Sequence, residues 1–326
     1  MFFAVLAWVH QSSTSKAEAP VFSPVSSQKS QPLVFTAVLV AVILAGYSVF
    51  ALNIKPMRTA KSIINSLIIA ARPDPAGKVD AIIGELTRGI GLNTFGITEA
   101  REQANQVGNN IILDPGIASQ DKQKYLAFVI QEMEKQRKEQ PFDVRAMAFI
   151  SNAYLAAGKR DSVLSTIGEA LKISPRRQQF YFIAAEAYFS SNQHDKAIEA
   201  LRTAYELDPE YTEAVHNLAI VLIASGRVKE GEDLVEKHFG TRIAADAKYA
   251  VAYRNIGDLG KMVQVLEKLV VANSKNAQYR AELGSAYFQV GQKEKAIDEF
   301  KKAAELEPGF KAQAEQIIEQ IRNTIK

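Results

Sequence analysis

Polarity along the chain changes character several times, and each change predicts an element. Residues 33–54 (LVFTAVLVAVILAGYSVFALNI) carry no charged side chain. As a helix this stretch rises about 33 Å, the thickness of a hydrocarbon core. A helix apolar all round for so long has no face to offer water, which predicts a transmembrane segment. Residues 57–72 then place Ile63, Ile64, Leu67, Ile68 and Ala71 on one helical face. That face fits either the interface of a bilayer or the first helix of a soluble domain docked on its neighbour. The opposite face, with Ser62, Asn65 and Ser66, is polar without being strongly basic, which favours docking. Two prolines and a glycine in residues 71–77 (ARPDPAG) end the helix. Helical patterns resume over 78–92, 97–107 and 120–139, broken by NTFG at 93–96 and by Asp114–Pro115.

From residue 141 the pattern becomes periodic. In a 34-residue frame starting at Gln178, Tyr181, Ala184, Ala185, Tyr188, Ala197, Leu201, Ala204 and Pro209 fall at offsets 4, 7, 8, 11, 20, 24, 27 and 32. These large and small residues resemble the packing positions of a tetratricopeptide repeat. The resemblance implies two antiparallel helices per unit, a proline stopping the second, and neighbours stacked on either side. Residues 144–177 fit with Met147, Ile150, Tyr154, Ala170 and Pro175, and residues 277–310 with Leu283, Gly284, Tyr287, Ala296, Phe300, Ala303 and Pro308. Residues 212–242 are shorter, with Gly231 and His238 where alanines are expected; residues 243–276 keep Ala250 and Tyr253. Residues 311–326 have the mixed pattern of a capping helix. The expected fold is all-α: a tetratricopeptide-repeat solenoid preceded by one transmembrane helix.

In such repeats the first helices line a groove through offsets 2, 5, 9, 12 and 13. The resemblance therefore selects Arg145, Asn152, Phe182, Glu186, Phe189, His216, Ile220, Ile223, Arg254, Asn255, Ser285 and Phe288 as candidate protein-binding residues. The aromatic and aliphatic members suit an extended or helical segment of a protein partner. The basic clamp with which some relatives hold a terminal carboxylate would fall on Ala148, Asn152, Ile183, Glu213 and Asn217, of which Asn152 alone fits. Chaperone-tail binding is not expected.

The N-terminal residues 2–9 (FFAVLAWV) are apolar but have no basic residue ahead of them, unlike a secretory signal. A helix of that length spans about 12 Å, well short of a bilayer core. Either a short tail or the end of a longer upstream membrane helix fits. Residues 11–31, rich in Ser, Gln and Pro, read as a flexible linker. The expected organisation is an apolar stub and linker (1–32), a membrane helix (33–54), an irregular helical region (55–140) and the repeats with their cap (141–326).

Charge fixes an expected orientation. Lys55, Arg58 and Lys61 crowd the C-terminal side of the span, against Lys29 and the more distant Lys16. The positive-inside rule places a single-pass chain with its repeats in the cytoplasm. With 39 basic and 36 acidic residues among 326, no basic block argues for nucleic acid. There is no cysteine, hence no disulfide and no thiolate. His10, His194, His216 and His238 lack metal spacing, and Gly89, Gly91 and Gly96 lack the spacing and preceding strand of a phosphate loop. No catalytic residue, cofactor or metal is expected, and the chain reads as a scaffold rather than an enzyme.

A second resemblance lies in FALNIKP, SLIIAAR and LTRGIGLNTFGITEAREQ, within residues 33–110. These segments resemble the C-terminal end of O-antigen ligase or polymerase-like membrane proteins of bacteria. That resemblance implies an accessory part of surface-polysaccharide assembly, with glycan-assembly proteins as partners. The family's catalytic region has no counterpart here, so no catalytic residue transfers.

Overall fold

The computed structural model describes residues 31–324. The apolar segment 2–9 and nearly all of the expected linker lie outside them. The chain divides between Arg58 and Thr59 into two compact units.

The first unit contains α1 (Gln31–Val49), a π-helical turn (Phe50–Ile54) and the beginning of α2 (Lys55–Ala70). Its large apolar side chains point outward: Phe35, Val42, Ile43 and Leu52 are all more than half exposed. The Ser48 hydroxyl donates to the Leu44 carbonyl at 2.8 Å, so this polar group is satisfied inside the helix. Among the described residues one helical run, Phe35–Ala70, is long and apolar enough to cross a membrane. Its most apolar window has a mean hydropathy of 2.3 and no buried residue.

The second unit is helical throughout its described residues. After α2 come α3 (Lys78–Gly91), α4 (Ile97–Leu113) and α5 (Ser119–Glu139). Five hairpins follow: α6 (Val144–Ala156) with α7 (Arg160–Ile173), α8 (Gln178–Phe189) with α9 (His194–Leu207), and α10 (Thr212–Ala224) with α11 (Val228–Phe239). The last two are α12 (Ala247–Asn255) with α13 (Leu259–Ala272) and α14 (Ala277–Gln289) with α15 (Lys293–Leu306). Then α16 (Lys311–Asn323) lays Ala314, Ile318 and Ile321 on the last hairpin. The template residues become the core: Ala197, Leu201 and Ala204 are buried between α8, α9 and α10, as are Ala296, Phe300 and Ala303 between α14 and α15. Each turn inside a hairpin is closed by one left-handed residue, glycine at 158, 226, 257 and 291 and Asn192 in the second hairpin, because the chain must reverse within a few residues.

Two local features depart from the sequence pattern. In a full 34-residue unit a helix would begin near residue 243, yet Gly240 ends α11 at φ 67° and α12 begins only at Ala247. Asp246 caps it, accepting from the Lys248 amide at 2.8 Å, so the first turn of the repeat is lost and α12 has nine residues. The second departure is in α2. The expected face docks only at its margin: Ile63 is half-buried but Ile64, Leu67 and Ile68 are exposed, while Thr59, Ser62 and Ser66 are buried and Ile69 and Ala70 pack on the core. Gly89 of α3 is the cause. A side chain there would sit 3.1 Å from the Ser62 Cβ, and one at Gly96 3.1 Å from the Thr59 Cγ2, so small residues meet small residues and the helices approach closely. Thr59 Oγ1 also lies 3.3 Å from the Gly89 carbonyl, to which it donates, and 3.0 Å from the Thr94 hydroxyl.

A cleft across consecutive repeats

The first helices of neighbouring hairpins share an open cleft of about 560 Å³. Its wall is built from α8, α10 and α12, closed at one end by Asn152 of α6. Phe182, Phe189, Ile220, Val221 and Val251 supply an apolar lining, and Val251 is 44% exposed. Polar groups stand among them: Gln179, Asn217 and Asn255, the carboxylates of Glu186 and Glu213, and the Lys248 amine.

Aromatic contacts hold the mouth in place. Phe182 stacks on Tyr211 with ring centroids 6.2 Å apart, and the Tyr211 hydroxyl donates to Glu213. That hydrogen bond, to a carboxylate, pushes the phenol above its ordinary range. Phe189 meets the His194 ring edge-on at 4.8 Å. His194 thus packs on Phe189 at the start of α9.

Of the residues selected from the sequence, Asn152, Phe182, Glu186, Phe189, Ile220 and Asn255 line this cleft. Arg254 and Ser285 line a neighbouring hollow of about 520 Å³ between α12, α14 and α16, which shares Val251 with the first. The other four lie elsewhere. Ile223 is fully buried: Gly231 has no side chain, and Ile223 fills that space, so its selection as a groove residue is corrected. His216 turns into the junction with the next repeat, stacked on Phe239 at 4.6 Å with its Nδ1 2.8 Å from the Tyr249 hydroxyl. Arg145 is held by a two-oxygen ion pair to Glu102 of α4. Phe288 is exposed on α14 and lines neither hollow.

Val251 stands at offset 9 of its repeat, within the frame, whereas Asn217 and Val221 stand at offsets 6 and 10, which the frame leaves out. At about 100° per residue, offsets 2, 6, 9 and 13 cluster within roughly 60° of one another, whereas offset 12 lies about 60° back from offset 9, at the edge of the face. Offset 12 is accordingly divided: Phe189 and Arg254 line the hollows, whereas Ile223 and Phe288 do not. Chemistry is sparse: among the described residues no three of His, Cys, Asp or Glu are grouped to hold a metal.

Profiles of the tetratricopeptide repeat match residues 150–212, 188–239 and 277–310. The chain is 27% identical over 86 residues to "Small glutamine-rich tetratricopeptide repeat-containing protein 2" of Mycosarcoma maydis, a stretch covering 26% of this chain and 24% of that relative. It therefore spans about a quarter of the relative's length. Among solved structures it is similar to a tetratricopeptide repeat protein from Parabacteroides merdae ATCC 43184, with a TM-score of 0.49, 14% identity, and 82% of this chain and 99% of that one covered. It is also similar to a thermophilic tetratricopeptide repeat protein of Thermus thermophilus, with a TM-score of 0.36, 15% identity, and 68% and 98% covered. Residues 150–239 and 277–310 thus match tetratricopeptide repeats, and the helical hairpins of this chain stack as an all-α solenoid.

Proposed function

We propose that this chain is a membrane-anchored scaffold whose repeats seize a segment of a partner protein in the cleft lined by α8, α10 and α12. One observation carries the reading. Phe182, Phe189, Ile220, Val221 and Val251 come from three successive first helices and stay accessible, although a solvated face has no need of them. An apolar floor with amide and carboxylate groups around it suits a helical or extended peptide, whose side chains fill the floor and whose polar groups meet the rim. The anchor is α1, whose exposed apolar surface has the length of a bilayer core. Anchoring concentrates the cleft at a membrane and so raises the occupancy of a weak site. The basic residues after the span favour repeats on the cytoplasmic side.

The test is proximity labelling from membranes with the full chain, the Phe182→Ala/Phe189→Ala variant and, separately, Glu186→Lys, an exposed substitution that leaves the core alone. Partners that vanish with both variants, while helicity by circular dichroism is kept, support capture in this cleft. Glycan-assembly proteins among them would give the resemblance of residues 33–110 its meaning. Identical labelling by all three chains overturns the cleft as the binding surface.

A further inference from the structure

Tyr154, Tyr188, Tyr253 and Tyr287 stand at offset 11 of their repeats, on α6, α8, α12 and α14. Three of them share one set of partners. The Tyr154 hydroxyl donates to Glu134 at 2.8 Å, that of Tyr253 to Glu232 at 2.9 Å and that of Tyr287 to Glu267 at 2.6 Å. Each glutamate lies on the helix immediately before, 20 or 21 residues upstream. A lysine amine covers each ring: Lys159 at 6.0 Å from the centroid, Lys261 at 5.7 Å and Lys295 at 5.1 Å. Lys261 pairs with Glu232 as well, so phenol and ammonium share one carboxylate.

Tyr188 has half of this set. Lys196 covers its ring at 5.6 Å, but the residue 20 positions upstream is Gly168. The Tyr188 hydroxyl makes no hydrogen bond among the described residues. In place of the glutamate there is an open hollow of about 450 Å³ between α7, α8 and α9. Leu164, Leu171, Tyr181 and Ala200 give it apolar walls, and Tyr188 and Lys196 supply the donors. Glu199 also borders it and makes no ion pair among the described residues. Packing does not account for Gly168. It lies inside α7, where glycine weakens a helix, and a Cβ there would meet nothing within 4 Å.

We propose that this hollow is a docking site for an acidic side chain of a partner protein, which completes on Tyr188 and Lys196 the set that Glu134, Glu232 and Glu267 complete within the chain. The other repeats specify the occupant. It brings a carboxylate for the hydroxyl and the ammonium, on a short stem of methylenes for the apolar walls. Glu199 opposes the incoming charge in part, so its removal strengthens binding. The site is separate from the cleft: Tyr181, Ala184 and Tyr188 occupy the side of α8 opposite Phe182, Glu186 and Phe189. It therefore does not rest on capture in the cleft.

The test uses the full chain in phosphatidylcholine nanodiscs and a displayed library of short random peptides. Peptides held by the wild-type chain and released by Gly168→Glu, which fills the hollow with the chain's own carboxylate, are synthesised and their affinity is read by fluorescence anisotropy. They should share a glutamate or aspartate beside apolar residues. Changing that acid to its amide, or Tyr188→Phe in the chain, should weaken binding about tenfold or more, the loss of a hydrogen bond to a charged group. Glu199→Gln should tighten it, and Gly168→Ala, which leaves the hollow open, should keep it. Gly168→Glu should also melt above Gly168→Ala, because its carboxylate takes the Tyr188 hydroxyl. A melting temperature below that of Gly168→Ala would break the correspondence between the repeats and overturn the proposal. A library from which no peptide tells wild type from Gly168→Glu overturns it too, as do selected peptides without a carboxylate. Binding lost with Glu186→Lys and kept with Tyr188→Phe assigns the peptides to the cleft: the hollow falls and the cleft stands.

Discussion

Gly231 and Ile223 occupy a single space between α10 and α11. A Cβ on Gly231 would lie 2.7 Å from the Ile223 Cγ1 and 2.8 Å from the Ala219 carbonyl oxygen. The repeat template has an alanine at this point; here the smaller residue on one helix is matched by a larger one on the other. Gly231→Ala, which restores the template, is therefore expected to destabilise the fold by about 1–3 kcal/mol through overpacking. Ile223→Ala alone should cost about 2–5 kcal/mol through the cavity it leaves. In the double variant the two faults partly cancel. Denaturant unfolding of all four chains reads the coupling, and strict additivity would refute the shared space.

This exchange also shows what periodicity reveals and what it hides. The repeats were legible because every 34 residues the same alternation of bulk returns, as with Ala197, Leu201 and Ala204 in one unit and Ala296, Phe300 and Ala303 in another. Ile223 was misplaced because its fate depends on a missing Cβ on another helix. The delayed start of α12 follows from Gly240 and Asp246, whose effect is set by which residue ends one helix and which caps the next. The turned face of α2 has a similar source. Spacing says which residues share a face, whereas the approach allowed by Gly89 and Gly96 decides which face turns inward.

A buried ion pair should matter far more than the many exposed ones. Arg101 is 4% exposed and donates to Glu132 at 3.3 Å and to Glu139 at 2.6 Å, joining α4 to α5. Removing it leaves Glu132, itself 6% exposed, with Lys135 as its remaining ion-pair partner. Arg101→Met is expected to lower stability by about 3 kcal/mol or more, because a dehydrated carboxylate loses its main compensation. By contrast Lys229 and Asp233 pair at 3.1 Å while 85% and 41% exposed. Lys229→Ala should cost about 0.5 kcal/mol or less. Equal losses in the two variants, measured by urea unfolding, would mean that the α4–α5 junction does not depend on this network.

A charge placed in α1 should act on membrane retention and not on the repeats. Val42 lies near the middle of the span and is 63% exposed. Lysine or arginine at a helix centre costs about 2.5–3.5 kcal/mol of insertion free energy. Val42→Arg with Leu44→Arg should release a large share of the chain from membranes on alkaline carbonate extraction, with the melting temperature of the repeats unchanged. Full retention of this variant would count against α1 as the anchor.

The junction between the third and fourth repeats should weaken in mild acid. His216 is stacked on Phe239 and faces the Tyr249 hydroxyl, and burial lowers its pKa below the usual 6.5, with Lys248 acting in the same direction and Asp246 against it. Folding therefore favours the neutral imidazole. Below pH about 6.5 the unfolded chain takes up a proton that the folded chain refuses, so the unfolded state gains and stability falls as pH drops toward the folded pKa. Above that window the contribution is fully present. The melting temperature of the wild-type chain should decline from pH 7.5 to 5.5 more steeply than that of His216→Gln, which has nothing to protonate at this site. Parallel declines would show that carboxylates alone set the acid limb and that His216 takes up its proton equally in the folded and unfolded chain.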